Sequence, residues 1–406
     1  MKKALTNASR SCTGRILTLV AVSICLCFLI SAAAYGDNKQ SISIKPYGYF
    51  KLDGAIDQNL TSHGNSIMWV EPKSYESDDE QFNMTANQSR FGFTAEGTGY
   101  SAIEVFGRLE MDLYAGATGA AVADNTATLQ LRHAYFSISN GNFSVLAGQT
   151  SDLISPLDPS TLNYSMLWSC GNIGYRRPQV SLSYTVAPNE QTDITLAGGF
   201  FRTIGSDLTP TITLALGEEN DGSDDGTDAG IPSFQSRIDV THDLPGGNSI
   251  RAGISGLWGQ LKAETNLGKS ERYESWGIAG HFALSFASDY GFSGEVYSGS
   301  NLGNYLGAIA NNSLVDGLES FGGWTSAWVK PSPKIKLVAG FGYDNPNDED
   351  LSSGDRSQNR AVFGNIQYSI ISQAIIGVEI ARWKTDYKDG EAVDNLRTQT
   401  SFILKF

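Results

Sequence analysis

The sequence predicts an all-β fold: a single domain forming an antiparallel transmembrane barrel of about sixteen strands, with short turns at one end and long loops at the other. Three observations carry this prediction. Segments of about ten residues alternate apolar and polar from Ile44 to the last residue, Phe406. The joins between them are short and long by turns. A charged, then apolar, amino terminus precedes the first segment.

Lys2, Lys3, Arg10 and Arg15 lead into an apolar run from Ile16 to Ala34, which closes on Ala34-Tyr35-Gly36. This order of charge, apolar run and small residues reads as a secretory signal peptide over 1–36, with the mature domain over 37–406. Removing the leader leaves 25 basic against 43 acidic residues, a balance of −18. So acidic a chain is a poor nucleic-acid binder, and no nucleic-acid partner is expected. Cys170 is the one cysteine left after Cys12, Cys25 and Cys27, so no internal disulfide is available. The rest of the chain holds no apolar run long enough for a spanning helix.

The predicted strands run in order from Ile44–Asp57 and Ala86–Gly97 through 103–115, 127–139, 143–150, 174–186, 193–203, 233–244, 249–261, 273–287, 290–298, 319–330, 334–343, 358–370 and 374–386 to Leu396–Phe406. Joins such as Asn140-Gly141-Asn142, Pro245-Gly246-Gly247 and Pro331-Ser332-Pro333 are tight turns. Those between, such as 58–85, 151–173, 204–232 and 299–318, are long. A soluble sandwich has no reason to sort its loops by side, whereas a membrane barrel does. One parity is apolar, as in Leu182 and Tyr184, Ile250 and Ile254, or Val378 and Ile380; the other is polar, as in Arg177, Gln179, Arg251 and Glu379. Sixteen strands enclose too wide a lumen for side chains to fill, so the apolar parity is expected to face lipid and the polar parity water.

The inward parity supplies the candidate wall charges Arg90, Arg108, Arg132, Arg177, Arg237, Arg251 and Arg397. Fixed charges along a narrow aqueous passage orient solutes and set ion preference, although cross-strand pairing alone would also explain them. Arg176 has the opposite parity and is expected to anchor a loop junction beside a pore-facing Arg177. Asp152 and Asp158 lie in the third long join, where Ser155-Pro156 to Pro159 carries helix-start signals. Asp221, Ser223 and Asp225 have the alternate oxygen spacing of half a calcium loop. Pro232 stands where its closing acid belongs, so a solvated acidic loop is the main reading, with divalent bridging to lipopolysaccharide as the lesser one. Phosphate-binding glycine loops, Gly-x-Ser-x-Gly and His-Glu-x-x-His are missing, and no cofactor or enzymatic activity is expected.

The stretches Ser89-Arg90-Phe91-Gly92-Phe93, Leu131-Arg132-His133-Ala134-Tyr135, Gly148-Gln149-Thr150-Ser151 and Asn172 to Gln179 resemble those of the trimeric bacterial porins, most nearly the DcaP-like group. The final strand, with Phe402, Leu404 and Phe406 on one parity, resembles the signal read by the barrel-assembly machinery. The resemblance implies a homotrimer in the outer membrane of a Gram-negative bacterium, surrounded by lipid and lipopolysaccharide. It further implies a third loop folded into the lumen, and passive passage of small hydrophilic solutes with organic anions favoured. The alternatives are an adhesive barrel with a plugged lumen and acidic ligand-binding loops, or a lipid hydrolase working at the rim.

Overall fold

The computed structural model describes residues 42–73, 80–98, 103–114, 128–205, 225–265, 269–287, 289–312 and 317–406. The leader and the acidic-loop residues Asp221 and Ser223 lie outside them, and Asp225 opens a helical turn, Asp225–Asp228.

Seventeen β-segments form one continuous antiparallel sheet in sequence order: β1 (Ile42–Asp57), β2 (Gln81–Thr85), β3 (Arg90–Thr98), β4 (Ile103–Asp112), β5 (Gln130–Asn140), β6 (Phe143–Ser151), β7 (Arg176–Asn189), β8 (Thr192–Phe201), β9 (Ser233–Leu244), β10 (Asn248–Thr265), β11 (Lys269–Phe286), β12 (Tyr290–Ser300), β13 (Glu319–Ser332), β14 (Ile335–Pro346), β15 (Arg356–Ser369), β16 (Ala374–Tyr387) and β17 (Val393–Lys405). Both β2 and β3 pair with β1, so they are two parts of one wall strand and the barrel has sixteen. Between the partners Tyr49↔Arg90 and Asp53↔Thr85, residues 50–52 face 86–89, one residue more. Such an excess is a bulge, which interrupts the ladder and turns the strand. Here side chains take over, as Thr85 Oγ1 accepts from the Asn87 backbone N–H at 3.1 Å.

The sheet closes where β1 pairs with β17 from Tyr49↔Lys405 to Asp57↔Arg397. Phe406 extends this seam by exchanging backbone hydrogen bonds with Gly48 at 3.0 and 3.1 Å. A sheet closed on itself leaves no unpaired edge, which is what a strand-built membrane protein requires. The apolar parity is exposed on the outside as expected, at Leu182, Ile254, Ile278, Val378 and Phe402 among others.

The lumen departs from the sequence expectation, because much of it is packed. Ile67 and Val70 of the first long loop, with Leu167 and Cys170 of the third, meet inward-facing Trp324, Phe363 and Trp383 of β13, β15 and β16 in one buried apolar cluster. A second cluster joins Ile154 and Ile173 of the third loop to Leu302 and Tyr305 of the sixth and to Leu257 and Tyr297 of the wall. A wide barrel cannot be filled by wall side chains alone, but it can be filled by loops that bring their own.

Candidate functional site at the lumen constriction

The third long loop, 152–175, crosses the lumen and is held chiefly through its backbone. Gln235 of β9 accepts the N–H groups of Leu153 and Ile154 at 2.7 and 3.1 Å. Glu295 of β12 accepts Ser155 Oγ–H and Leu157 N–H, both at 2.7 Å. On the far side Glu379 of β16 accepts Leu162 N–H at 2.7 Å and Asn163 N–H at 3.2 Å, while Lys51 of β1 donates to Leu162 O at 2.8 Å. The loop is irregular, so its peptide groups have no ladder partners and need these wall side chains. The helix-start signals at Ser155–Pro159 do not produce a helix. Returning toward β7, the chain touches the opposite wall so closely that a Cβ on Gly171 would lie 2.1 Å from Gly323 O, a position only glycine can take.

Between the loop and the wall of β3–β7 lies a cavity of about 380 Å³. Arg90, Arg108, Arg132, Arg176, Glu110, Asp152 and Asp158 line it. Glu110 is the hub of the wall, with Arg90 at 3.5 Å, Arg132 at 2.9 Å, the Tyr47 hydroxyl at 2.8 Å and Arg108 in ion contact. Arg132 reaches on to Asp112 at 2.7 Å and lies 5.9 Å from the centre of the Tyr164 ring. Facing this wall from the loop, Asp158 keeps its side open to the cavity, and desolvation by the surrounding lumen pushes its carboxyl above the ordinary pKa, against the opposing pull of Arg132, Arg176 and Arg90.

The two adjacent arginines exchange the roles expected from parity. Arg177 is fully buried, 2.8 Å from Asp152 and 4.0 Å above the Tyr305 ring, so it is a tie between β7, the third loop and the sixth. Asp152 is spent in the same tie, accepting from Gln235 at 2.7 Å and from Tyr175 N–H at 2.9 Å. Arg176 instead borders the cavity, lying 4.3 Å over the Tyr175 ring with Trp168 behind it. Its Nε and Nη2 have no hydrogen-bond partner. Strict alternation fails at Arg176 because the chain is leaving the loop there, and Gly174, with a φ of +94°, turns it inward.

The other candidates sit elsewhere. Arg397 is buried beneath the first loop, paired with Asp57 at 2.7 Å and donating to Gly64 O and Asn65 O, both at 3.1 Å. Arg237 and Arg251 form a separate group around Asp239 and His281 on β9–β11. Phe402, Leu404 and Phe406 stand exposed on the outer face beside the seam. Sequence reasoning missed the aromatic lining of Trp168 and Tyr175, and the lumen-filling role of Ile67, Val70 and Tyr305. The signal available for the packed side was the break in inward polarity at Trp324, Phe363 and Trp383.

Among solved structures, the chain is similar to the outer-membrane channel DcaP of Acinetobacter baumannii, with a TM-score of 0.69, 18% identity, and coverage of 90% of this chain and 98% of that one. The fold is that of the outer-membrane porins. The anion-selective porin of Comamonas acidovorans matches with a TM-score of 0.55 at 12% identity over 90% of this chain and all of its own. OprB of Pseudomonas putida matches at 0.52 and 12% identity, over 89% of this chain and 94% of that one. No protein-family model and no curated protein sequence matches.

Proposed function

We propose that this protein is a passive diffusion channel in the outer membrane of a Gram-negative bacterium, passing small hydrophilic solutes and favouring organic anions. The observation that carries this reading is the polar cavity between the third loop and the β3–β7 wall, where Arg90, Arg108, Arg132 and Arg176 converge. Glu110 and Asp112 offset part of that charge, but Arg176 has no carboxylate within ion-pair distance among the described residues. Positive charge fixed in a passage of low dielectric attracts anions and repels cations. The Comamonas protein of the same fold is named anion-selective, which agrees in sign.

The reading extends to a leader over 1–36 removed on export, a terminal Phe406 engaging the barrel-assembly machinery, and a homotrimer; one neighbour, OmpT of Vibrio cholerae, is described in a trimer form. The protein acts by conduction and catalyses no reaction.

Planar-bilayer recording tests this directly. Stepwise openings in multiples of three are expected, with a reversal potential of anionic sign in a salt gradient. A silent membrane at high protein concentration would favour the adhesive barrel, and release of fatty acid from phospholipid would favour a rim hydrolase.

A further inference from the structure

One tight turn of the sequence is framed by lysines, in the run Lys330-Pro331-Ser332-Pro333-Lys334-Ile335-Lys336. It joins β13 to β14 at the short-turn end of the barrel, and its two prolines fix the local backbone. Trp328 faces Val338 across these strands, and Val338 belongs to the buried cluster inside the barrel, so Trp328 and Lys336 are on the inward parity. Lys330 Nζ lies 5.1 Å from the centre of the Trp328 ring and Lys336 Nζ lies 5.6 Å from it. A single indole thus gathers two ammonium groups that would otherwise spread apart.

Lys336 also donates to Ser160 Oγ of the third loop at 3.3 Å, and the charges acting on it are two more ammonium groups, Lys330 and Lys405. Lys405 is on the inward parity of β17, opposite Tyr49. Other cations of the lumen are paired: Lys51 with Asp53 at 3.3 Å, Arg397 with Asp57 at 2.7 Å, and Arg237 and Arg251 with the shared Asp239. Lys330, Lys336 and Lys405 have no carboxylate within ion-pair distance among the described residues. Asp289 offers Lys330 its backbone oxygen, which accepts the Lys330 N–H at 2.6 Å, and the oxygen of the terminal Phe406 accepts Gly48 N–H at 3.1 Å. Lys330 and Lys405 are exposed, while Lys336 and Trp328 are half-buried, so the cluster is open to solvent. Like charges gathered at one place repel, and an anion between them relieves the repulsion.

We propose that Lys330, Lys336 and Lys405 form a second anion station at the short-turn mouth, taking a phosphate dianion, free or as the monoester of a small solute. Arginine presents a planar fork that matches a carboxylate, whereas lysine presents a compact charge on a flexible stem, which can turn to meet a tetrahedral dianion. Ser160 is two residues from Asp158, so the loop that bounds the arginine cavity also touches this station. A dianion held there stands in the way of smaller anions and slows their current. The station rests on the channel reading proposed above.

The test is planar-bilayer recording of the full-length protein in potassium chloride at pH about 8, where phosphate is chiefly a dianion. Inorganic phosphate, added on both sides, should reduce the chloride current. Lys330→Gln with Lys336→Gln should raise its half-blocking concentration by about tenfold, while that of acetate, a monoanion, shifts far less. Glycerol phosphate in place of inorganic phosphate separates the two sources: block by both assigns the station to free anion and ester alike, and block by one assigns it to that one. An unchanged half-blocking concentration in the lysine variant overturns the proposal, as does an equal shift for acetate and phosphate, which would make the lysines a general surface charge. Calorimetric titration of phosphate into the same proteins in detergent keeps the station and the channel apart. Silent bilayers with lysine-dependent binding would count against the channel alone; steady current with binding unchanged by the substitutions overturns the station alone. If the double variant does not insert, Lys330→Gln, at an exposed side chain, decides by the same criteria.

Discussion

The two halves of the lumen are built from the same alternating strands and do opposite things. Under β3–β7 the inward side chains are arginines and acids around a cavity, held apart from the third loop. Under β13–β17 the inward side chains include Trp324, Phe363 and Trp383, and the first and third loops are packed onto them. The packed half fixes the loop, through apolar contact and through Glu379 on its backbone, and Glu295 of the adjoining β12 holds it as well. The charged half can then keep a gap of defined width, since a loop free to move would be drawn onto the arginines by Asp158. A gap with charged walls thus depends on an opposite side that is packed shut.

The strongest way to break this contrast is to empty the packed side. Trp383→Ala removes a fully buried side chain and should cost about 3–5 kcal/mol, read as a lower unfolding temperature in detergent. It should also produce noisier current, because the loop loses its backing. Glu379→Ala leaves the N–H groups of Leu162 and Asn163 without their acceptor, at about 1–3 kcal/mol; unchanged current noise would show that the clasp does not hold the gap.

The paired arginines sharpen the comparison. Arg177→Ala should lower stability by about 3 kcal/mol, by leaving the buried Asp152 carboxylate without its guanidinium. Arg176→Ala should leave stability nearly unchanged and shift the reversal potential toward cations. Matching effects of the two on stability and selectivity would refute the division of roles.

The smallest expected effect is one of pH. The pKa of Asp158 is raised in the folded state, so the folded chain takes up this proton at a higher pH than the unfolded chain does. Its desolvation cost, small because the residue stays open to solvent, is therefore present at neutral pH and lifts as pH falls through the folded pKa, giving a slight gain in stability. The gap loses a negative charge over the same interval, so anion preference should rise on acidification through the folded pKa of Asp158. Asp158→Asn should abolish that increment.

Local alternation was enough to read the barrel. Strand number, turn sides, outward parity and the seam strand ending at Phe406 all follow from a period of two and the cost of an unpaired backbone in lipid. Legibility failed where the chain leaves the ladder. The bulge at residues 86–89 depends on side-chain hydrogen bonds rather than pattern, and no run of residues in the third loop announces that Glu379, 217 positions away from Leu162, will accept its N–H. Parity assigned Arg177 to water and Arg176 to the junction, and it was the turn at Gly174 together with the Asp152–Arg177–Tyr305 tie that reversed them. The sequence alone determined a closed wall with charge inside and apolar residues outside, because each of these rests on the next residue along or the next strand across. Only the tertiary structure decided which part of the interior is open, because that depends on loops far apart in the chain competing for one enclosed volume.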